Sequence, residues 1–353
     1  MQKVIKVPRS EGMTYLEEVA NCLTLESGIL GEEMTRCLFP LLDMDSWIDH
    51  LLGFIPKGRV ASFGALAGAL GSIRASRAIG ERISSGSLEG PTHRVVYSDG
   101  TVPDGSALPL SAEVGLKKGN RVDRELFCNL EIEDPPLKVL SSQQERMLPL
   151  LTEERPVSVG LVAGIDISSK DGVHAAAMVV MDPGGSGRGE ICMKGRPGIP
   201  YVSGLLFYRE APLIIPLMRK ALETGLTDMD TLCVLDGNGM LHPRRMGIAC
   251  QIGVATGART CGVAKRLLHG RDTGEYRQVG GNMLSMVVDG TDIIGSAMLG
   301  GRSRKPVYIS RGNRIDQVTA ESVISSLTSS RVPEPTRRAH DLANRCRRSE
   351  TPS

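Results

Sequence analysis

The sequence predicts an α/β protein of two domains, a larger one with a β-sheet covered by helices and a smaller, mostly helical one before it. Three observations lead to this prediction. From about residue 158 onward, apolar strands, turns and helical stretches alternate. Before about residue 135, two short helical stretches flank a glycine turn. A chain of 353 residues is also long enough for two domains, each with its own core.

The composition narrows the class of protein. The chain is 41% hydrophobic and 23% charged, which excludes disorder throughout. No apolar run reaches the roughly eighteen residues of a membrane span, and the N-terminus turns acidic too early for a secretory signal. We therefore predict a cytoplasmic protein without a membrane partner. The eight cysteines form no C-x-x-C pair, which argues against a zinc ribbon or a disulfide framework.

Changes of composition along the chain predict the domain boundaries. Residues 1–45 form a short N-terminal segment to which no role is assigned. Residues 46–135 form the small domain. Residues 136–157, with paired prolines and polar residues around them, are predicted to be a linker. Residues 158–353 form the larger domain, and from residue 141 onward 27 basic residues against 21 acidic ones suit a polyanionic partner.

The elements of the larger domain are predicted in order. "SVGLVAGIDIS" and "HAAAMVVMD" are strands around the turn "SSKDG", and "GEICMKG" is a third strand. "VSGLLFYREAPLIIPLMRKALETG" is a helix that ends at Gly225 and that Pro212 and Pro216 should kink or interrupt. "DTLCVLDG" is a buried strand, "RRMGIACQIGVATG" a helix and "RTCGVAK" another strand. "DPGGSGRGE" is predicted to be a hairpin tip or loop, because no strand–glycine loop–helix order surrounds it.

Three carboxylates in this domain occupy unusual places. Asp166 lies in the middle of an apolar strand, Glu210 lies in "FYREAP", and Asp236 ends the strand "TLCVLDG". A carboxylate within a strand costs several kcal/mol unless it is paired or ligated. A cap or an ion pair would explain one such residue, whereas three together point to a site. Hard carboxylate oxygens at sheet ends suit Mg²⁺ or Mn²⁺, and phosphodiester hydrolysis is the usual chemistry of such sites.

Several sequence blocks around these acids resemble endonuclease V. The blocks are "GIDIS", "PYVSGLLFYREAP", "LDGNGMLHPRRMGIA", "GVAKRLL" and "PEPTRRAH", in the family's order over about 160–345. The resemblance implies an RNase H-like mixed sheet flanked by helices. It also implies cleavage of DNA at the second phosphodiester 3′ of deoxyinosine and related lesions, leaving 3′-hydroxyl and 5′-phosphate ends, with Mg²⁺ as cofactor and Mn²⁺ as an alternative.

The resemblance also assigns residues to the site. It implies that Asp166 and Asp236 are metal ligands and that Glu210 is the third acidic member. The family's assisting residues are matched by His242, Lys265 and His340.

A hydrolytic mechanism follows from that assignment. A carboxylate-held Mg²⁺ polarises the phosphate and lowers the pKa of the attacking water. His242 relays a proton or orients that water, and Lys265 balances developing negative charge. Arg209 and the pair Arg244–Arg245 are placed to contact phosphates.

The family separates strands at the lesion with a proline–tyrosine wedge, which Pro200 and Tyr201 match. An aromatic packed at a helix start is the structural alternative for Tyr201. An aromatic in a proline-flanked loop, however, suits stacking into the gap left by a flipped base. Ser203 stands where the motif often has a second proline, and Asn238 where a histidine is common, so the stiffness of the wedge loop is in question.

The small domain contains "IPKGRVASFGALAGALGSIRASRAIGERI", whose apolar spacing predicts a helix-turn-helix. Any pair of short packed helices would give that layout. Together with "PTHRVVYSDG", however, the segment resembles the O6-alkylguanine-DNA alkyltransferases over about 46–132. That family binds the minor groove of DNA. Arg77 matches its inserted arginine and Phe63 a tyrosine beside the flipped nucleotide, while His93 and Arg94 match its Pro-Cys-His-Arg motif.

Thr92 stands where this motif has its nucleophilic cysteine. Suicide transfer needs a thiolate, which a His-linked network generates from a group of pKa about 8.5. A threonine hydroxyl is a much weaker acid and a harder nucleophile. Because hydroxyl nucleophiles do work beside a base, residual transfer stays an alternative. We predict a lesion sensor that transfers no methyl group, with a degenerate domain kept for DNA affinity or folding as the alternative.

The whole sequence is therefore predicted to be a DNA repair protein, an endonuclease V fused to an alkyltransferase-like module. Its expected partners are DNA with deaminated or alkylated bases. Three alternatives stay open: an inosine-specific RNA endonuclease, since the acids and the wedge do not select a sugar; a bifunctional methyltransferase/endonuclease with residual transfer; and a non-catalytic damage-binding protein.

Overall fold

The computed structural model of the protein describes residues 3–23, 30–301 and 303–349. The chain divides into two compact units. The first runs up to Cys22 and includes Pro40–Gln143 and Ile199–Ser203. The second contains Leu23–Phe39, Gln144–Gly198 and the chain from Gly204 onward. None of the helices in the described part of the chain combines the length and hydropathy that crossing a bilayer requires.

The elements of the first part of the chain are mostly short helices. In chain order they are β1 (Lys3–Val7), α1 (Glu11–Cys22), α2 (Leu30–Glu33), α3 (Met44–Gly53), β2 (Ala61–Ser62), α4 (Phe63–Ala69), α5 (Ser76–Ser85), β3 (Val95–Val96), α6 (Ala107–Ser111), β4 (Cys128–Ile132) and α7 (Pro136–Met147). Of these, α2 belongs to the second unit. Helix α7 occupies the start of the segment that was predicted to be a linker.

The predicted helix-turn-helix pair is present as α4 and α5. Helix α4 begins because the Ser62 hydroxyl accepts a hydrogen bond from the Ala65 N–H at 3.0 Å. It is followed by Gly71, whose φ of 97° and whose closeness to Lys138 leave no room for a Cβ. Strand β1, in the segment without an assigned role, pairs in parallel with β4, so that Lys3 lies opposite Cys128.

The second unit contains one large sheet. Its elements are β5 (Val162–Lys170), β6 (Val173–Met181), β7 (Gly187–Gly195), α8 (Leu206–Glu223), β8 (Leu232–Leu235), α9 (Ile248–Thr256), β9 (Arg259–Ala264), β10 (Arg271–Asp272), β11 (Arg277–Val279), β12 (Asn282–Asp289), β13 (Asp292–Leu299), β14 (Val307–Arg311), α10 (Gln317–Ser326) and α11 (Glu334–Arg348). The strand order is β10-β12-β13-β14-β9-β8-β5-β6-β7, and β11 pairs with β12. Strands β5, β8 and β9 are parallel and their neighbours antiparallel, so the prediction of a mixed sheet flanked by helices is confirmed.

Helices cover both faces of this sheet. Helices α10 and α11 share one core with inward residues such as Val162 and Val234. Helices α8 and α9 cover the opposite face, where Met178 and Cys233 point, because alternate strand residues face opposite sides. The face under α11 also carries the even-numbered residues of β5, including Asp166.

Pro212 and Pro216 were predicted to kink or interrupt the helix that contains them, and the predicted interruption is wrong. Helix α8 runs without a break through Pro212 and Pro216 and ends shortly before Gly225, which has a φ of 68°. Each proline costs about 3 kcal/mol in a helix interior. Nine side chains of α8 are buried, however, and each large apolar one contributes about 1.5–3 kcal/mol. Burial therefore outweighs the two missing hydrogen bonds.

Candidate functional site

The parallel strands bring two of the predicted acids together. Ile165 of β5 lies opposite Leu235 of β8, so the residues that follow, Asp166 and Asp236, lie side by side where β8 ends. Strand β9 borders β8 on its other side and is followed directly by Lys265. The Lys265 ammonium donates a hydrogen bond to Oδ2 of Asp236.

Helix α11 supplies the partner of the other acid. Nδ1 of His340 lies 2.6 Å from Oδ2 of Asp166. The Asp166 carboxylate also accepts the N–H of Ile167 at 2.8 Å, and only 9% of the residue is exposed. The His340 side chain is 52% exposed, so this ring connects a buried carboxylate to the surface.

A glycine permits this close approach of α11 to β5. A Cβ at Gly164 would lie 2.1 Å from the carbonyl carbon of Pro335, at the beginning of α11. Two residues further along β5, Asp166 meets His340, and two further again Ser168 donates a hydrogen bond to Oδ1 of Asn344 at 2.8 Å. Every second residue of the strand therefore meets the next turn of the helix along this face.

Burial and neighbouring charges shift the pKa values of the side chains in this site. Burial, and then the neighbouring Asp236, raise the pKa of Asp166 to about 6. Burial, with Asp166 and Asp236 after it, raises the pKa of Glu210 on α8 to about 8. Burial disfavours the charged form of Lys265, but Asp236 more than offsets this and raises the pKa of the ammonium. The three predicted acids are thus close enough to repel one another, with one ammonium among them.

His242 and Arg244 form a network at the start of α8. Nε2 of His242 lies 3.1 Å from the Gly204 carbonyl oxygen, and its Nδ1 accepts the Arg244 N–H at 3.2 Å. Arg244 donates to the same carbonyl at 2.8 Å and, through Nε, to Oε1 of Gln144 at 2.7 Å. Gln144 is fully buried, and its amide group also donates to Gln251. No prediction included Gln144, because it lies in a polar segment that resembles a linker.

The remaining predicted residues are more dispersed. Tyr201 is 59% exposed, and with Pro200 it groups with the first unit. Arg209 is partly buried on α8, and its carbonyl accepts the Gly198 N–H at 3.0 Å. Oδ1 of Asn238 is buried without a hydrogen-bond partner among the described residues. Arg245 has a φ of 54° and donates to Asp289 at 2.7 Å.

In the first unit, the residues after Thr92 converge on one carboxylate. Arg94 donates to both oxygens of Glu113, at 2.9 and 2.8 Å, and Nε2 of His93 lies 3.1 Å from Oε1. The Gly58 N–H also donates to Glu113 at 3.3 Å. Thr92, partly buried, begins the short 3-10 turn that presents these two side chains. Glu113 was not predicted, because nothing in the sequence pattern connects it to residues 92–94.

The helix-turn-helix carries the other two predicted residues. The Arg77 side chain is 90% exposed on α5 and pairs with Glu81 at 3.0 Å. Phe63 begins α4, and its ring centroid lies 5.3 Å from that of Tyr97, a residue that is 52% exposed. The parallel pairing of Ser62 with Val96 sets these two rings side by side.

The Glu113 network predicts a measurable stability effect. Hydrogen bonds from Arg94 hold the pKa of Glu113 at about 2, against the opposing effect of burial. Glu113→Gln should lower the free energy of unfolding of the first unit by about 2 kcal/mol at pH 7, because a charged hydrogen-bonded partner is lost. A carboxyl group whose pKa is lowered by folding contributes its full stabilisation at pH values above its unfolded-state pKa. The difference from the wild type should therefore be complete above pH 4.5 and disappear as the pH falls towards 2.

The fluorescence of Trp47 measures this effect in the first unit alone. It is the only tryptophan of the sequence, and it is 2% exposed in α3. The control is Glu81→Gln, which removes an exposed i,i+4 pair and should cost less than about 0.5 kcal/mol. An equal effect of the two substitutions, or a difference that persists at pH 2, would contradict the role of Glu113.

Comparison with known proteins supports both halves of this description. The family model for endonuclease V matches residues 145–341. The model for the 6-O-methylguanine DNA methyltransferase DNA-binding domain matches residues 47–117. A bifunctional methyltransferase/endonuclease of Picrophilus torridus is 30% identical over 318 residues, 87% of this chain and 98% of that protein. Endonuclease V of Gloeobacter violaceus is 32% identical over 62% of this chain and 88% of its own.

Solved structures agree. The catalytic domain of human endonuclease V is 27% identical, with a TM-score of 0.54 over 60% of this chain and 96% of that one. Ciona intestinalis endonuclease V, in complex with DNA that contains an inosine followed by a ribo-adenosine, is 25% identical, with a TM-score of 0.54 over 61% of this chain and 98% of that one. The two resemblances drawn from the sequence are confirmed. The chain is an endonuclease that belongs to the endonuclease V family, with a 6-O-methylguanine DNA methyltransferase-like domain fused before the nuclease.

Proposed function

We propose that the second unit cleaves DNA at deoxyinosine and related lesions, at the second phosphodiester 3′ of the lesion, with Mg²⁺ as cofactor and Mn²⁺ as an alternative. One observation carries the proposal: parallel strands place Asp166 beside Asp236, with Glu210 close enough that both acids raise its pKa. The Ciona relative, whose bound DNA contains inosine, supports the choice of lesion.

The donor set fits a divalent cation. Asp166, Asp236 and Glu210 would hold it, since all their donors are hard oxygens and their repulsion favours added positive charge. Across residues 3–23, 30–301 and 303–349, no three His, Cys, Asp or Glu side chains are arranged for a metal ion as they stand. Instead, the Asp166 carboxylate is paired with His340, and the Asp236 carboxylate is paired with Lys265. When bound, the ion supplies polarisation of the phosphate.

The other side chains have separate roles in this proposal. Lys265, whose pKa is raised, stays charged and balances negative charge that develops on the phosphate. His340 orients Asp166. Both ring nitrogens of His242 are bound to backbone groups, so it acts as a positioning residue for the turn before α8.

Three side chains outside the acidic group contact the substrate. Tyr201, after Pro200, stacks at the lesion, since 59% of it is available. Arg209 lies on the helix that carries Glu210, and Arg244 reaches the start of that helix through its hydrogen bond to the Gly204 carbonyl. Both contact phosphates of the bound strand.

For the first unit we propose lesion binding without methyl transfer. Arg77 is exposed on α5 for insertion into DNA, and Phe63 with Tyr97 offers aromatic surface for a base. His93 and Arg94 are held by Glu113, which keeps the turn in shape although Thr92 replaces the thiol. A threonine hydroxyl at that place is a poor acceptor of an alkyl group. Incubation with DNA that carries a labelled O6-methyl group should therefore leave the protein unlabelled, and label on Thr92 would contradict this.

The test of the nuclease proposal uses two DNA duplexes, one with deoxyinosine and one with O6-methylguanine, each with Mg²⁺. We expect a cut in the inosine strand, one nucleotide beyond the lesion. A cut at both lesions would show that the first unit recruits the nuclease to alkyl damage. No cut in either would contradict the proposal. A matched inosine-containing RNA then tests the RNA alternative, which the ribo-adenosine of the Ciona complex favours.

A further inference from the structure

Arg347 is fixed beside the acidic site. Ser168 follows Asp166 by two residues on the same face of β5, a distance of about 6.6 Å along a strand. Its hydroxyl oxygen accepts a hydrogen bond from Nε of Arg347 at 2.8 Å and donates to Oδ1 of Asn344 at 2.8 Å. Asn344 in turn donates to the His340 carbonyl at 3.0 Å. The serine therefore sets the position of the guanidinium relative to Asp166.

The charge of Arg347 is not neutralised in the way that its neighbours' charges are. On α11, Arg337 and Arg338 pair with Glu334, and Arg345 pairs with Glu190. Arg347 has instead a hydroxyl partner, and within the described residues its two terminal nitrogens make no hydrogen bond. A partly buried guanidinium with a fixed Nε and an open terminal fork suits a bidentate anion.

Two lysines extend this positive charge away from the acids. Ser168, Ala175 and Lys194 lie side by side across β5, β6 and β7, on the face under α11. The Lys194 ammonium donates to the Ser349 carbonyl. Lys170 ends β5 two residues beyond Ser168, is 67% exposed, and lies 3.9 Å from the carboxylate of Asp171, whose side chain is 81% exposed. We call Arg347, Lys194 and Lys170 the basic strip.

We propose that the basic strip holds the backbone of the nucleic-acid strand on one side of the cleaved bond, with Arg347 clamping a phosphate next to the scissile one. This inference rests on the proposed nuclease function, which places the scissile phosphate at Asp166 and Asp236. The strip begins at Ser168, one strand repeat from Asp166, with the partly buried Arg347 and Lys194, and it ends at the exposed Lys170, as a track for successive phosphates requires. A purely structural Arg347 would stabilise the C-terminus of α11 and leave DNA binding unchanged.

The salt dependence of DNA binding distinguishes these two roles. Binding of a deoxyinosine-containing duplex is measured by fluorescence anisotropy in EDTA, over a range of salt concentrations. Arg347→Ala should bind about tenfold more weakly, as expected for a lost charged hydrogen bond. The slope of log affinity against log salt should decrease by about 0.9, the value for one phosphate contact. Arg347→Lys should restore the slope, since it keeps the charge.

The matched control is Arg345→Ala, which removes the same charge from the same helix at a residue paired with Glu190. For this variant, the slope of log affinity against log salt should equal that of the wild type. Circular dichroism shows whether each variant is folded. Equal slopes for wild type, Arg347→Ala and Arg345→Ala would overturn the inference.

Neutral methylphosphonates, placed one at a time around the lesion, then locate the contact. The wild type should lose affinity at one phosphate beside the cleaved bond, and Arg347→Ala should lose nothing further there. Equal losses in both proteins at every position would overturn the inference. If the wild type cleaves the inosine strand but substitution of Arg347 has no effect on binding, only the proposal for the basic strip is refuted. A wild type that neither binds nor cleaves refutes the proposed function, and the strip with it.

Discussion

Asp236→Asn should reduce cleavage of deoxyinosine-containing DNA by about a thousandfold or more. The carboxylate is one of the groups proposed to hold the metal, and metal ions stabilise such transition states by several kcal/mol, with each 1.36 kcal/mol worth a factor of ten. The side chain also binds Lys265, so the substitution disturbs two groups of the site at once. Single-turnover cleavage of an end-labelled duplex measures the loss.

A second measurement separates the loss of metal from the loss of fold. Mg²⁺ or Mn²⁺ should raise the thermal unfolding midpoint of the wild type, because a ligand of the folded state stabilises it. The rise should be much smaller in Asp236→Asn. Without metal the midpoint should change little, since the lost contact to Lys265 is balanced by less repulsion on Asp166 and Glu210.

The control for this variant is Asp182→Asn. Asp182 lies in the turn between β6 and β7, where its Oδ1 accepts the Ser186 N–H at 3.0 Å, and an asparagine keeps that acceptor. It should cleave at the wild-type rate. If Asp236→Asn cleaved at the wild-type rate, the assignment of Asp236 to the metal site would be wrong.

Gly164→Ala should destabilise the second unit by about 1–3 kcal/mol or more, as overpacked cores do. The new Cβ would lie 2.1 Å from the carbonyl carbon and 2.3 Å from the carbonyl oxygen of Pro335. These are backbone atoms, so the clash cannot be relieved by a side-chain rotation, and α11 must move away from β5. Because α11 carries His340, the contact to Asp166 should be lost and cleavage should decrease as well.

Two comparisons test that explanation. Gly160→Ala adds the same methyl group where no atom lies within 4 Å, and it should be neutral or slightly stabilising. In the double variant Gly164→Ala/His340→Ala, the two losses of cleavage should not add, since both act through the contact to Asp166. Chemical denaturation followed by circular dichroism measures the stabilities. A Gly164→Ala protein as stable and active as the wild type would contradict the close packing of α11.

The sequence predicts those parts of the fold whose signal is local. The strands around Asp166 and Asp236 were predicted because each is an apolar run, with Asp166 in the middle of one and Asp236 at the end of the other. The run of helix α8 was predicted too, but its continuity was not. The effect of Pro212 and Pro216 depends on how much apolar surface the helix buries, which a local pattern does not contain.

Other features depend on contacts between distant segments. Gln144 lies in a polar stretch, and only the folded chain brings it to Arg244 and Gln251. Glu113 likewise meets Arg94 only after folding. Residues 271–311 carried no predicted element, although the "DG" between two apolar runs at 289–290 is a hairpin signal.

The parallel pairing of β1 with β4 has a consequence for synthesis of the chain. Lys3 cannot find its partner Cys128 until the ribosome has released more than a hundred further residues. Closing so long a loop costs only about 0.6 kcal/mol more per doubling of its length. The long separation therefore affects when β1 pairs with β4 more than it affects the stability of that pairing. Strand β1 therefore waits for β4, the last strand of the first unit, and until then its edge is open to other chains.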